Sequence, residues 1–358
     1  MTQDAPLFNH SSAVIEGWYW LCRARELRKG QVRALRLLGR DIAVFRGASG
    51  AVSALDAYCV HMGAHLAEGR VERDALRCFF HCWRYEADGR VSDIPCLEGS
   101  PPAHLRARHW PTAEAHGMIW LWTGNQAPAH AVPQVPELTG IDCDVLIANR
   151  FIKQCHPNVV LINAIDEQHF HSVHHLPGSI LRMQALPRDT HNIEFHNQGV
   201  MPRQRWLGRF LASFYRDKLT YNMSYWYGSL GFVTLGPDFL HLYLMFALRR
   251  GDRGETEGQT IAFTRRRRGV AGWLFNRVVL VATALAARYF AHGDTRVFQT
   301  IRFQLANPIG ADRAVLAFMR HLEAQPLATQ WMADSALTEA SAKAPALKRV
   351  AGGLTHHG

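Results

Sequence analysis

Two short segments, each with one cysteine and one histidine, constrain this sequence more than any other feature. Cys59 and His61 form a C-x-H pair, and Cys78 and His81, after sixteen intervening residues, form a C-x-x-H pair. Two thiolates and two imidazoles are the ligands of a Rieske [2Fe–2S] cluster, in which two histidines replace two cysteines on one iron. The spacing therefore predicts that these four residues bind such a cluster.

A Cys₂His₂ zinc site is the competing interpretation of the same four residues. Zinc sites of this kind usually place both cysteines in one segment and both histidines in another. Here each segment contributes one residue of each type. The mixed pairs favour the iron–sulfur cluster over zinc.

The two loops resemble the Rieske domains of soluble oxygenases. Photosynthetic and respiratory Rieske proteins usually carry one extra cysteine in each loop, and these two form a disulfide. Here Ala64 stands three residues after His61, and both residues between Cys78 and His81 are Phe. We interpret Cys82 as a free thiol, because four ligands are already present, and we expect Trp83 to shield the cluster.

The charge and cysteine content limit the partners and the compartment. The 358 residues carry a net charge of +10 and a pI of about 9.5, without a nucleic-acid-binding motif, so we favour an acidic protein partner over nucleic acid or a membrane. Thiolate ligands require reduced cysteines, and the first residues lack a secretory signal pattern, so we expect a cytoplasmic protein. The most apolar run, 278–287, predicts a buried helix that is too short to span a bilayer.

Strand patterns and turn residues predict an α+β chain with two domains. We expect a flexible arm over 1–14, an all-β Rieske domain over 15–135, a catalytic domain over 136–335 and a weakly ordered tail over 336–358. The second domain combines strand-rich segments with an apolar helix over about 270–290, a strand over 297–303 and a further helix.

A histidine-rich segment forms the second candidate metal site. His169, His171, His174 and His175 lie within seven residues, in a stretch that predicts a helix from Asn158 to about His175. Two histidines and one carboxylate form the facial triad of non-haem Fe(II) oxygenases. Helix geometry alone favours His171 and His175, which are four residues apart, whereas His169 and His174 require a bulge or a helix end.

The same segment resembles the D-x₂-H-x₄-H motif of the Rieske non-haem iron oxygenases, the family of the aromatic-ring hydroxylases. It matches that motif at Asp166, His169 and His174. The resemblance implies that His169 and His174 bind iron and that the sheet of the second domain is an antiparallel helix-grip sheet. Within the family, the chain resembles a subgroup that contains the arylamine N-oxygenase of pyrrolnitrin biosynthesis.

The family places its third iron ligand, an aspartate, far downstream and just before a strand. Asp294 occupies the matching position here, with Asp217, Asp238 and Glu323 as reserve candidates.

Two further residues take their roles from the resemblance. Asp166 matches the catalytic carboxylate that bonds an iron-ligating histidine and, across a subunit interface, a cluster histidine. Asn163 matches a residue that contacts the iron ligands without binding iron.

The resemblance implies an oxygenase that receives electrons from a separate ferredoxin or NAD(P)H-dependent reductase and acts as a homotrimer. It implies oxidation of a hydrophobic, aromatic-type small molecule by hydroxylation, N-oxygenation, demethylation or oxidative cyclisation. Aromatic residues of the second domain are candidate walls of the substrate pocket: Tyr221, Tyr225, Trp226, Phe232 and Phe239.

A Rieske electron-transfer protein with a non-catalytic binding domain is the alternative, and the iron content separates the two. An oxygenase is expected to contain three irons and two acid-labile sulfides per chain, because it holds a mononuclear iron beside the cluster. Metal and sulfide analysis of the purified protein tests this, and two irons with two sulfides would favour the electron carrier.

Overall fold

The first third of the chain forms three small antiparallel sheets. The computed structural model describes residues 6–177, 179–203 and 206–333. The strands of this part are β1 (Trp18–Arg23), β2 (Val32–Leu37), β3 (Arg40–Arg46), β4 (Val52–Asp56), β5 (Arg70–Glu72), β6 (Ala75–Arg77), β7 (Arg84–Tyr85), β8 (Val91–Asp93), β9 (His109–Trp110), β10 (Thr112–Ala115) and β11 (Met118–Trp122).

The strand order places the two cluster loops side by side. One sheet has the order β2-β3-β4-β9, the second β5-β6-β7-β8 and the third β1-β11-β10. The loop with Cys59 and His61 follows β4, and the loop with Cys78 and His81 joins β6 to β7. Both cysteines belong to one hydrophobic cluster with Leu66, Leu76 and Tyr85, which holds the loops together.

Within the described residues, the second part of the chain combines one large sheet with six helices. Its elements are β12 (Cys143–Lys153), α1 (Pro157–Asn163), α2 (Glu167–Ser172), β13 (Met183–Pro187), β14 (Asn192–Asn197), α3 (Trp206–Ala212), β15 (Thr220–Trp226), β16 (Leu230–Gly236), β17 (Leu242–Arg250), β18 (Thr256–Arg265), α4 (Gly269–Gly293), α5 (Thr295–Thr300) and α6 (Arg313–Glu323). Short 3₁₀ turns occupy Ala24–Glu26, Leu66–Glu68, Pro136–Leu138 and Gly310–Asp312.

The large sheet has seven antiparallel strands in the order β12-β18-β17-β16-β15-β14-β13. Alternate residues of each strand face opposite sides, so Val233 packs under the helices while Phe232 faces the other way. Helices α1, α4 and α6 cover one face, and the sheet β1-β11-β10 covers the other with Trp18, Trp20 and Trp120. This arrangement confirms the predicted α+β class with an all-β first part and an antiparallel sheet that grips helices.

Several local predictions are wrong. The helix expected from Asn158 to His175 is two helices, α1 and α2, separated by residues 164–166. The strand expected over 297–303 is instead helical through Thr300. The apolar run 278–287 is part of the 25-residue helix α4, and most of its large apolar side chains are exposed rather than buried.

The predicted N-terminal arm is packed where it is described. Phe8 is buried, and the backbone N–H groups of Leu7 and Phe8 donate to the Glu323 carboxylate at the end of α6. Residues 6–14 therefore do not form a free arm. The predicted tail 336–358 lies outside the described residues.

A segment after α6 packs against the first part of the chain. Trp331 is fully buried, with its ring centroid 4.5 Å from that of Trp110 and the Arg40 guanidinium 5.2 Å away. Arg40 also donates to the backbone carbonyl of Trp331 at 2.9 Å.

We expect Trp331→Ala to lower the free energy of unfolding by about 3–5 kcal/mol, because it opens a cavity in a packed core. Urea unfolding followed by circular dichroism measures the change. Trp206→Ala removes a side chain that is 73% exposed and is the matched control, with an expected effect below about 0.5 kcal/mol. Equal effects of the two substitutions would contradict this role of Trp331.

Candidate metal centres

Each cluster loop is a tight turn closed by backbone hydrogen bonds. The Cys59 N–H donates to the Ala64 carbonyl, and the Cys78 N–H donates to the Trp83 carbonyl, both at 2.9 Å. Gly63 has a φ of 73°, which glycine adopts readily. Cys82 has a φ of 57°, a left-handed conformation that is uncommon for a residue other than glycine. The turns hold the cysteine and histidine of each loop at fixed positions.

The cysteines and histidines lie at different depths. Cys59 and Cys78 are buried, whereas His61 and His81 are exposed, with their ring centroids 4.7 Å apart. The Trp83 ring stacks on His61 at 4.5 Å and 7°, as expected for a shield on one side of the site. Two thiolates inside and two imidazoles at the surface fit a Rieske cluster with one exposed edge.

The Cys78 thiol sits in an environment that resists ionisation unless a cation is bound. Burial raises the pKa of Cys78, and the neighbouring Cys59 raises it further. A bound metal deprotonates a coordinating thiol outright, so iron would supply the positive charge that the Cys78 thiolate requires.

Tyr85 is a contact that sequence patterns did not identify. Its hydroxyl lies 2.9 Å from the Cys59 Sγ and accepts a hydrogen bond from the Val60 N–H at 3.1 Å. A metal-bound Cys59 thiolate carries no proton, so in the loaded site the Tyr85 O–H would be the donor to the sulfur. Tyr85 is fully buried, and burial raises its pKa, so it remains a donor.

The second site brings together three residues that are far apart in the chain. The Nε2 atoms of His169 and His174 lie 3.0 Å apart, and the Asp294 Oδ1 lies 3.0 Å from the first and 3.1 Å from the second. Residues 171 and 175, the pair that helix geometry favoured, do not join them: both are exposed, and His171 Nδ1 donates to the Leu176 carbonyl.

The spacing fits a metal ion with octahedral geometry. Ligands about 2.1 Å from a metal and at right angles to one another are separated by about 3.0 Å, which is the observed spacing. The Asp294 Oδ1 is buried and has no hydrogen-bond donor among the described residues. Burial also lowers the pKa of His174, which favours the neutral imidazole that a metal binds.

The break between α1 and α2 explains how two histidines five residues apart converge. The Asp166 side chain caps α2 by accepting from the N–H groups of Gln168 at 2.9 Å and His169 at 3.3 Å. His169 lies in the first turn of α2, whereas His174 follows the last helical residue, Ser172. Because His174 lies outside the helix, its direction is not set by the helical repeat, and it can point toward His169.

The other predicted site residues have distinct positions. The Asn163 side-chain amide lies 3.1 Å from the His169 Nε2, at the edge of the triad. Among the described residues, no hydrogen bond joins the Asp166 carboxylate to either ligand ring, so its contact with the site runs through the backbone of His169.

The reserve ligands are engaged elsewhere, which leaves Asp294 as the carboxylate of the site. Asp217 pairs with Arg203, Asp238 accepts from the Arg216 N–H, and Glu323 caps the N-terminal segment. Asp294 follows α4 and precedes helix α5, so the strand expected after it is absent.

Aromatic rings surround the triad, and sequence reasoning named only one of them. Phe170 and Phe290 lie with ring centroids 5.5 Å and 5.3 Å from His174, and Tyr221 lies 5.3 Å from Phe170. The only sequence signal that Phe170 lies near the triad is its position next to His169. No local sequence feature indicates that Phe290 lies there.

Four of the five predicted wall residues lie away from the triad. Tyr225 donates to the Leu161 carbonyl within the core, and Phe239 is 72% exposed. Trp226 and Phe232 pack on the opposite face of the large sheet.

Lys153 supports the turn that carries Asp294. Its Nζ donates to the Thr295 Oγ1 at 2.8 Å from the end of β12. This contact fixes the residue after the ligand.

Comparison with known proteins identifies a Rieske domain in the first part of the chain. Residues 17–110 match the Rieske [2Fe-2S] domain family. A probable 3-ketosteroid-9-alpha-monooxygenase oxygenase component from Rhodococcus rhodochrous is 35% identical over 188 residues, which are 48% of this chain and 47% of that protein. Aminopyrrolnitrin oxygenase PrnD from Pseudomonas fluorescens is 31% identical over 187 residues, 50% of this chain and 51% of that protein. The chain thus spans about half the length of these curated relatives in the matched regions.

The whole fold also has a counterpart of known structure. The crystal structure of dicamba monooxygenase with non-heme iron and dicamba has a TM-score of 0.59 and 18% identity, covering 91% of this chain and 99% of that one. This likeness confirms the predicted fold, and the domain match confirms the predicted Rieske domain and with it the [2Fe–2S] cluster. The group of His169, His174 and Asp294 could hold the mononuclear iron.

We expect His169→Ala/His174→Ala to lose the mononuclear iron and to keep the cluster, which lies on different loops. Iron analysis should fall from three to two per chain, with the visible spectrum of the cluster unchanged. The double variant His171→Ala/His175→Ala is the control and should retain three irons. A third iron that survives the first double substitution would refute the ligand assignment.

We expect Tyr85→Phe to lower the reduction potential of the cluster by about 40 mV. A hydrogen bond to the thiolate stabilises the more negative reduced state, and about 1 kcal/mol corresponds to this shift for one electron. A redox titration followed by electron paramagnetic resonance measures it. Tyr58→Phe removes an exposed hydroxyl that bonds Asp41 and serves as the control; the same potential in both variants would exclude a role for Tyr85.

Proposed function

We propose that this chain, a member of the Rieske non-haem iron oxygenases, uses O₂ and electrons from a separate protein to oxidise a hydrophobic small molecule. Residues 15–135 form the electron-accepting unit and residues 136–335 the catalytic unit in this proposal. The observation that carries it is the triangle of about 3 Å between the ligand atoms of His169, His174 and Asp294.

The arrangement of the three ligand atoms would leave coordination positions of a bound iron free. Three ligands on one face of an octahedral iron leave the opposite positions for O₂ and substrate. When both cofactors are bound, the cluster supplies single electrons and the iron supplies O₂ activation. Asn163 at the edge of the triad and the capped start of α2 hold His169 in place.

The exposed edge of the cluster site is the proposed point of electron entry. His61 and His81 face solvent, and apolar side chains surround them: Met62 is 66% exposed, Phe79 54% and Phe80 53%. This surface suits a ferredoxin or reductase. It also suits the catalytic unit of a neighbouring copy in a homotrimer.

Asp166 is the proposed link between neighbouring copies and serves a catalytic role as a positioning carboxylate. One of its oxygens caps α2, and within the described part of the chain the other makes no hydrogen bond. A half-buried carboxylate beside an iron ligand is suited to bond a cluster histidine from another copy.

The side chains around the triad favour an apolar substrate. Phe170 and Phe290 place aromatic rings beside His174, and Tyr221 packs on Phe170. The relatives described above are named for a 3-ketosteroid and for aminopyrrolnitrin. We propose a substrate of that kind, oxidised by hydroxylation, N-oxygenation, demethylation or cyclisation. The electron-carrier alternative offers no reason for a buried His₂Asp triangle.

We expect the wild-type protein, with a surrogate ferredoxin, reductase and NADPH, to convert a 3-ketosteroid or arylamine in a reaction that requires O₂. Mass spectrometry of the products under ¹⁸O₂ detects the transferred oxygen. Asp166→Asn retains the cap but removes the charge, so it should keep three irons while turnover falls by about 10–100-fold.

The cluster itself provides the control in this experiment. Its bleaching on reduction shows that electrons enter whether or not substrate reacts. If the cluster cycles normally across the substrate panel and no O₂-dependent product forms, the oxygenase proposal fails and the electron carrier is favoured.

A further inference from the structure

Helix α4 exposes an unusually apolar surface. Within the described residues it is the one helix that is long and apolar enough to cross a membrane by length and composition, and 28% of its most apolar window is buried. Six of its exposed apolar side chains follow one line along the helix, at the i, i+3 and i, i+4 spacings that mark a single face. We call this line the α4 stripe: Val270 82% exposed, Leu274 57%, Val278 61%, Val281 51%, Leu285 61% and Tyr289 78%.

The opposite face of α4 is fixed to the large sheet. Val279, Leu280, Thr283 and Ala287 are buried on this side, and α4 contacts β12, β17 and β18. Twenty-five residues at 1.5 Å per residue give a length of about 37 Å, most of which runs along the protein. A helix held in this way lies beside a membrane rather than through it.

A buried polar residue secures the first turns of α4. Asn276 is 1% exposed, donates to the Asp144 Oδ2 at 2.7 Å and to the Arg265 carbonyl at 3.0 Å, and accepts from Arg267 at 2.7 Å. Moving α4 off the sheet would leave these groups without partners, which is costly in an apolar environment. The stripe therefore keeps its outward orientation.

The charge around the stripe is entirely positive along the chain. From Arg265 to Gly293 there are six arginines and no Asp or Glu. Arg265–Arg268 precede the helix, while Arg277 and Arg288 are exposed at one edge of the stripe. Asp144 pairs with Arg266 at 3.0 Å, and Asp142 also lies near Arg266, so the six arginines outnumber these two carboxylates.

Aromatic side chains stand beside these arginines. Trp273 is 54% exposed and lies under the Arg277 guanidinium at 5.6 Å, and Phe275 is 44% exposed under Arg267 at 4.5 Å. Apolar residues on one face, arginines at its border and a Trp and a Tyr near its two ends characterise a helix that lies in the interface of a bilayer.

We propose that the α4 stripe docks the protein on the surface of an anionic lipid membrane. The apolar side chains enter the boundary between headgroups and acyl chains, and the arginines bind lipid phosphates. A second copy is a poorer occupant, because a two-fold contact between stripes would bring the same arginines together. This inference replaces the sequence-based expectation of no membrane contact.

Docking through the α4 stripe would bring the candidate iron site close to the membrane, an inference that rests on the proposed function. Phe290, next to Tyr289 of the stripe, contacts His174 with ring centroids 5.3 Å apart. The end of the docked face is thus adjacent to the candidate iron site. A hydrophobic substrate dissolved in the membrane would meet this side of the protein first.

Vesicle flotation of the full-length holoprotein tests the docking without any need for substrate. Wild-type protein is mixed with vesicles of phosphatidylcholine alone or with 30% phosphatidylglycerol, and the floating fraction is measured. We expect at least tenfold more protein on the anionic vesicles. The triple variant Leu274→Gln/Val278→Gln/Leu285→Gln should lose this binding by at least tenfold, because three apolar side chains no longer insert.

Two matched controls isolate the α4 stripe. Leu97→Gln/Val200→Gln/Ile309→Gln changes three exposed apolar residues elsewhere and should float like wild type. Arg277→Gln/Arg288→Gln should weaken binding by about 30-fold for two interfacial charges, whereas Arg216→Gln/Arg253→Gln, at side chains 94% and 84% exposed, should not. The visible spectrum of the cluster verifies that each variant is folded.

Four results would overturn the proposal. Wild-type protein that stays with neither vesicle, or the stripe variant floating as well as wild type, excludes docking through α4. Equal recovery on both vesicle types excludes the anionic surface. A smaller oligomer for the stripe variant in analytical ultracentrifugation shows that a second copy covers this face instead.

Discussion

The capping of α2 by Asp166 is the contact on which the catalytic half of the molecule depends. Helix α1 ends at Asn163, and α2 begins with Asp166 as its N-cap, three residues before His169. The N–H groups of a new helix start need acceptors, and the Asp166 carboxylate supplies one. Without this break, His169 and His174 would point in different directions from one continuous helix.

The large sheet positions the third candidate ligand through the helix that packs on it. Helix α4 lies across β12, β17 and β18, and its end delivers Asp294 to the two histidines. Lys153 at the end of β12 bonds the next residue, Thr295, so sheet and ligand turn are tied together. The same helix carries the α4 stripe, which means that the candidate iron site and the proposed membrane-docking face share one structural element.

The sequence was informative where the chemistry is local. The two cluster loops could be predicted because each places its Cys and His within four residues, and backbone turns set their geometry. The third ligand was reached only through family resemblance, because nothing local distinguishes Asp294 from Asp217 or Asp238. The sequence did not predict the exposure of α4 for a related reason. Apolar composition predicts burial, but only tertiary packing determines that Leu280 is buried while Leu285 is exposed. Tyr85 and Phe290 likewise act through contacts between distant segments.

Iron anomalous scattering from a crystal of the holoprotein tests the central claim most directly. Anomalous maps are collected above and below the iron edge, and two adjacent peaks that appear only above the edge are expected beside Cys59, His61, Cys78 and His81. The maps should contain a third iron peak within bonding distance of His169, His174 and Asp294. A map without iron at that triad, or with the third peak between His171 and His175, would contradict the account.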